Sequence, residues 1–73
     1  MADYEYITIE EYGRSDSGKT GRYEIRNKRS GDLLALVSWY GSWRQYTCNP
    51  QARTTYSAGC LRDIAQFMDD LRG

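Results

Sequence analysis

Cys48 and Cys60 are the strongest nucleophiles in this 73-residue chain, and no histidine base is present to activate them. A cysteine attacks as its thiolate, which a neighbouring base or cation must generate. Cys60 stands near a helix start, where the local dipole would favour the anion. The chain has no histidine, however, so the usual general base is missing along with the commonest metal ligand. Two thiols twelve positions apart cannot complete a tetrahedral metal site alone. Asp63 and Asp69, six positions apart in a helical stretch, do not share a site.

One run does spell a phosphate-loop pattern. Gly13-Arg14-Ser15-Asp16-Ser17-Gly18-Lys19-Thr20 satisfies G-x-x-x-x-G-K-T. That chemistry needs the loop to leave a buried parallel strand and enter a helix, so that amides converge on a phosphate. Here the run leads into a strand pattern, and the chain is too short for a nucleotide fold. The spacing matches and the context does not. No enzyme, cofactor or metal is expected.

What remains is recognition chemistry. Seven Tyr, two Trp and one Phe occur in 73 residues, and Trp, Tyr and Arg are the residues most enriched among interface hot spots. Tyr40 and Trp43 flank Gly41-Ser42, with Gln45 following. They have two readings: a cross-strand pair that stabilises a turn, or, with Gln45 and nearby arginines, a recognition platform. Arg44 either stacks on Trp39 at the rim of the core or offers its fork to a phosphate or carboxylate. Arg26, Lys28 and Arg29, close to Arg22, Lys19 and Arg14, are either a solvated hairpin tip or a contact for phosphate or acidic protein.

Ten Lys+Arg balance ten Asp+Glu, which argues against gripping phosphate chains through bulk charge. The balance is segregated. Residues 1–11 hold four acids and no base, 12–53 hold eight bases and three acids, and 54–73 hold two bases and three acids. Mean hydropathy is −0.80, yet the aromatic and β-branched content is too high for a disordered chain. No apolar run approaches the roughly 18–20 residues of a membrane span. The opening Met1-Ala2-Asp3-Tyr4-Glu5 is acidic and shows no secretory leader, and two cysteines make no disulfide framework. A reduced pair in a cytoplasmic protein is expected.

These residues must be positioned by a short set of elements. Tyr4 to Tyr12 alternates with period two, placing Ile7 and Ile9 on one face and Tyr4, Tyr6, Thr8 and Tyr12 on the other. Arg22 to Asn27 alternates likewise, and Gly31 in the following turn suits a positive φ. Leu33 to Tyr40 and Trp43 to Asn49 are the third and fourth strands, and Thr54-Thr55-Tyr56 is a candidate short edge strand. A two-residue type II′ turn at Gly41-Ser42 would set Tyr40 opposite Trp43, Trp39 opposite Arg44, Ser38 opposite Gln45 and Val37 opposite Tyr46.

Ser57 is the expected N-cap of a final helix, with Tyr56 and Leu61 as a hydrophobic staple. Leu61, Ile64, Ala65, Met68 and Leu71 trace its apolar stripe, widened by Phe67, and Arg62, Asp63, Gln66, Asp69 and Asp70 form its wet face. The expectation is a single α+β domain over 1–73: an antiparallel four- to five-stranded meander packed on one face by one C-terminal helix. One helix covers one sheet face. Leu36, Ser38, Tyr40, Trp43, Gln45 and Thr47 then fall on the uncovered face. A chain this size buries only roughly 60% of its unfolded surface, so its stability margin is thin.

The run Trp39-Tyr40-Gly41-Ser42-Trp43-Arg44-Gln45-Tyr46, followed by Cys60-Leu61-Arg62-Asp63-Ile64-Ala65-Gln66-Phe67, resembles small proteins encoded by bacteriophages and prophages. The resemblance spans roughly residues 20–72. It implies a bacterial or phage cytoplasmic setting and a sheet-plus-helix fold. That group carries no agreed activity, so it transfers no functional residue; such proteins commonly bind and redirect host proteins, including defence machinery. At the level of architecture alone, the sheet backed by a helix also resembles DNA-binding domains of integrases and plant transcription factors.

The leading expectation is therefore a non-enzymatic binding module acting by protein–protein contact. The alternative is a nucleic-acid binder with Arg22, Arg26, Lys28, Arg29 and Arg44 on phosphates and Tyr40 or Trp43 stacked on bases. The third is an obligate homodimer using the same aromatic face. No membrane partner is expected.

Overall fold

The computed structural model describes residues 4–71. Asp3, Arg72 and Gly73, counted in the charge pattern and the end of the chain, lie outside the described residues. Four strands, β1 (Ile7–Arg14), β2 (Gly21–Asn27), β3 (Leu33–Tyr40) and β4 (Gln45–Pro50), precede one helix, α1 (Ala58–Leu71). The strands form an antiparallel sheet in the order β1-β2-β3-β4, an α+β meander with the helix on one face. Residues 54–56 are coil, so the candidate fifth strand is absent. The Tyr56 hydroxyl donates to the Leu34 carbonyl, and the Gln51 amide donates to that same carbonyl at 2.9 Å.

The period-two patterns fold as strands because each pairs a β-branched inner row with a polar outer row. Ile9 opposes Ile25, and Ile25 opposes Ala35; Tyr23 opposes Val37, and Val37 opposes Cys48. Ile7, Ile25, Leu34, Ala35 and Val37 are buried beneath Cys60, Ile64 and Phe67 of α1. The β2–β3 turn closes where expected, with Gly31 at φ 79° and the Asn27 side chain accepting from the amides of Arg29 and Ser30.

Four expectations are corrected by tertiary contacts. The alternation from Tyr4 is not strand before Ile7: the Tyr6 carbonyl still accepts from the Lys28 amide at 3.1 Å, but residues 4–6 are held to α1. Tyr6 donates its amide to Asp63 Oδ2 at 2.8 Å, Tyr4 donates its hydroxyl to Asp70 Oδ2 at 2.7 Å, and the Tyr4 ring meets Phe67 edge to face. The β3–β4 turn holds four residues, Gly41 to Arg44, and Tyr40 opposes Gln45. The register thus moves by two positions, which leaves the side chains of β3 and those from Gln45 onward on their assigned faces and moves Trp43 and Arg44 from the fourth strand into the turn. Trp39 accordingly opposes Tyr46 rather than Arg44, and their rings meet edge to face at 5.4 Å.

The helix stripe is also rotated. Cys60, Ile64 and Phe67 are buried, whereas Leu61 and Ala65 are exposed, so Leu61 forms no staple with Tyr56. Phe67 takes the central place because the Tyr23 ring offers it an edge-to-face partner at 5.1 Å. Ser57 caps the helix as expected: its Oγ accepts from the Cys60 amide at 3.2 Å.

Candidate interaction surface

The helix leaves one sheet face open. Across it run Thr8 and Glu10 of β1, Arg22, Glu24 and Arg26 of β2, Leu36, Ser38 and Tyr40 of β3, and Gln45, Thr47 and Asn49 of β4. The four-residue turn returns Trp43 over this face, where its ring meets Tyr40 edge to face at 5.1 Å. Both rings remain accessible, Trp43 at 65% and Tyr40 at 46%. Beside them a shallow groove of about 380 Å³ is lined by Tyr40, Trp43, Thr47, Cys48 and Asn49. Tyr40, Trp43 and Gln45 are thus brought together at one end of the sheet. Thr47 and Asn49, which complete the groove, follow Gln45 at strand spacing, and that alternation is the signal that locates them.

The basic residues divide between two ends of the molecule. Arg22 and Arg44 lie at the hairpin end. Arg22 faces the carboxylate of Asp16 at 3.8 Å, and Arg44 occupies the last turn position with φ 53°. Arg26 pairs with Glu24 at 3.1 Å and also donates to the Gly31 carbonyl. At the opposite end Lys28 Nζ donates to the Tyr4 carbonyl at 2.8 Å, and Arg29 is exposed on the β2–β3 turn. Five basic side chains expected on one phosphate-binding surface are therefore dispersed, and three hold acceptors within the chain.

No family model matches this chain, and neither a curated protein nor a solved structure shows significant similarity to it.

The loop between β1 and β2 carries the residues of the phosphate-loop pattern. Four of its amides bond within the loop: Ser15 donates to the Thr20 carbonyl, Gly18 donates to the Ser15 carbonyl, and Lys19 and Thr20 donate to the hydroxyls of Ser17 and Ser15. The chain proceeds from this loop into β2 rather than into a helix. A cleft of about 370 Å³ does form between Lys19, Arg22 and Trp39, open and lined by hydroxyls.

Cys48 and Cys60 are both free thiols. Cys60 is buried against the core, and burial pushes the Cys48 thiol up, away from the reactive thiolate. Among the described residues no cluster of three or more potential metal-binding side chains occurs, and no helix is long and apolar enough to cross a membrane.

Proposed function

We propose that this chain is a non-enzymatic, cytoplasmic binding module of the phage accessory type, which contacts a partner protein through its open sheet face. One observation carries the reading. Tyr40 and Trp43 hold each other edge to face while both stay exposed, at 46% and 65%, beside a groove that they help to line. A pair ordered before binding loses little rotamer freedom on contact, which favours affinity. The surrounding Gln45, Thr47 and Asn49 supply uncharged donors and acceptors for a polar rim.

Charge favours a protein over a nucleic acid on this face. Glu10 opposes Glu24 across β1 and β2, which puts two carboxylates among the arginines a phosphate chain would need. Arg22 and Arg26 already face Asp16 and Glu24. The test is affinity capture from host lysate by the wild-type chain and by Tyr40→Ala/Trp43→Ala, with circular dichroism to confirm equal folding. A specific protein retained by the wild type and lost by the double variant is expected. Equal capture by both would place the contact elsewhere, and a salt-sensitive shift of DNA or RNA would replace a protein partner with a nucleic acid.

A further inference from the structure

The two edges of the sheet are built differently. On β1 the free edge is broken by a bulge between Glu11 and Gly13 and carries Glu10, Glu11 and Arg14, the devices that prevent strand pairing. On β4 there is no bulge and no charge from Gln45 to Pro50. The Gln51 amide bonds to the Leu34 carbonyl, which sets the alternation of the β3–β4 ladder. Gln45, Thr47 and Asn49 therefore direct their backbone groups to β3, whereas Tyr46 and Cys48 turn theirs outward. Pro50 ends the open edge because it has no N–H to offer.

The helix repeats this asymmetry. Gly59, Asp63 and Asp70 share the flank covered by residues 4–6. At 100° per residue Leu61 and Ala65 fall on the opposite flank, toward β4, and both are exposed, Leu61 at 55%. One side of the molecule is sealed, and the other presents an uncharged strand edge beside uncovered apolar side chains.

We propose that β4 pairs antiparallel with β4 of a second copy of this chain, about a two-fold axis at Thr47. That register places Tyr46 opposite Cys48 of the second copy, a large side chain against a small one. It also places Gln45 opposite Asn49, two amides able to bond each other. Arg44 falls opposite Pro50 and Arg53 opposite Gly41, so no like charges meet. The strand is complementary to itself, which is what an isologous contact requires. About four backbone hydrogen bonds would form between the copies. Both helices would lie on one side, and the two open faces would join into one, with a Tyr40–Trp43 pair toward each end. This pairing is independent of what those rings bind.

Sedimentation of the full chain tests it, combined with amide hydrogen exchange. The wild type is expected to sediment at twice its 8.5 kDa, with the Tyr46 and Cys48 amides gaining protection as concentration rises. Thr47→Lys puts two cations together at the axis, and Cys48→Pro removes an outward N–H without touching the β3 ladder; each should shift the sedimenting mass to one chain. Two variants guard against a folding artefact in either, and circular dichroism should show both folded. Tyr40→Ala/Trp43→Ala should remain a dimer. A wild type that stays a single chain at every concentration overturns the proposal, even if it pairs with an extended peptide. A dimer that survives both edge variants, or that the aromatic variant abolishes, overturns it as well.

Discussion

The Phe67 ring of α1 meets the Tyr23 ring of β2 edge to face at 5.1 Å, and this contact joins the helix layer to the sheet. From it an aromatic chain extends both ways: Tyr4 lies against Phe67, Tyr46 against Tyr23, and Trp39 against Tyr46. Five of the ten aromatic residues are thereby committed to the helix side of the sheet. Phe67→Ala should cost about 3–5 kcal/mol, since it removes a buried ring and leaves a cavity. A single core of this size supplies a margin of about the same magnitude. Urea titration should find the variant largely unfolded in buffer, while Phe67→Leu retains a cooperative transition at a lower midpoint.

Gly59 is buried in the first turn of α1, and a methyl group there would run into the ring of Tyr6. Alanine would otherwise favour the helix by roughly 0.5–1 kcal/mol. The two effects separate in a double-mutant cycle. Gly59→Ala should lower the thermal midpoint in the wild type, because the Tyr6 ring is displaced and the Tyr6–Asp63 hydrogen bond strained. The same change should raise the midpoint in a Tyr6→Ala background. An equal effect in both would mean that Tyr6 does not restrict the position.

How far the sequence reveals this molecule depends on the range of the contacts that decide each feature. The β3 bounds, the Ser57 cap and the positive φ of Gly31 are local, and alternation or residue type displays them. The strap formed by Tyr4 and Tyr6 rests on Asp70 and Asp63, 66 and 57 positions away, and no periodicity shows that. The helix stripe could be drawn through Leu61 or through Phe67, and the choice was made by Tyr23 on another element. The hairpin turn is two residues longer than Gly41-Ser42 suggests, yet the aromatic face survives because side chains alternate with period two. Tyr40, Trp43 and Gln45 could therefore be grouped from sequence. The pairing of Arg22 with Asp16, and of Lys28 with the Tyr4 carbonyl, could not.

Arg44 holds φ 53° in the β3–β4 turn, a left-handed conformation that costs a non-glycine residue on the order of 1 kcal/mol. Glycine relieves that strain but adds freedom to the unfolded chain, so the effects partly cancel. Arg44→Gly should raise stability by roughly 0.5 kcal/mol. Gly31→Ala is the opposite case, since φ 79° must then be held by an L side chain, and it should lower stability by about 1–2 kcal/mol. Chemical denaturation of the pair checks the sign. A destabilised Arg44→Gly would reveal a contact of the guanidinium that outweighs its backbone strain.

The Tyr4–Asp70 hydrogen bond gives the fold a pH dependence at both extremes. Burial first, then the Asp70 carboxylate, pushes the Tyr4 hydroxyl from its ordinary 10.0 up to about 12. A value raised on folding stabilises below the unfolded value and is lost as pH rises through the folded one. Stability should thus fall between pH 10 and about 12. Hydrogen bonds from Tyr4 and then Gln66 hold the Asp70 carboxyl below its usual range, so its contribution is present above the unfolded value of 3.8 and is lost as pH falls through the folded value. Tyr4→Phe removes the donor while keeping the ring on Phe67. Thermal unfolding across pH should show that variant with a shallower alkaline decline, the remainder arising from Tyr23, whose hydroxyl is also raised by burial. The same variant should lose part of the acid-limb dependence. An unchanged alkaline slope would show that the strap opens before Tyr4 ionises.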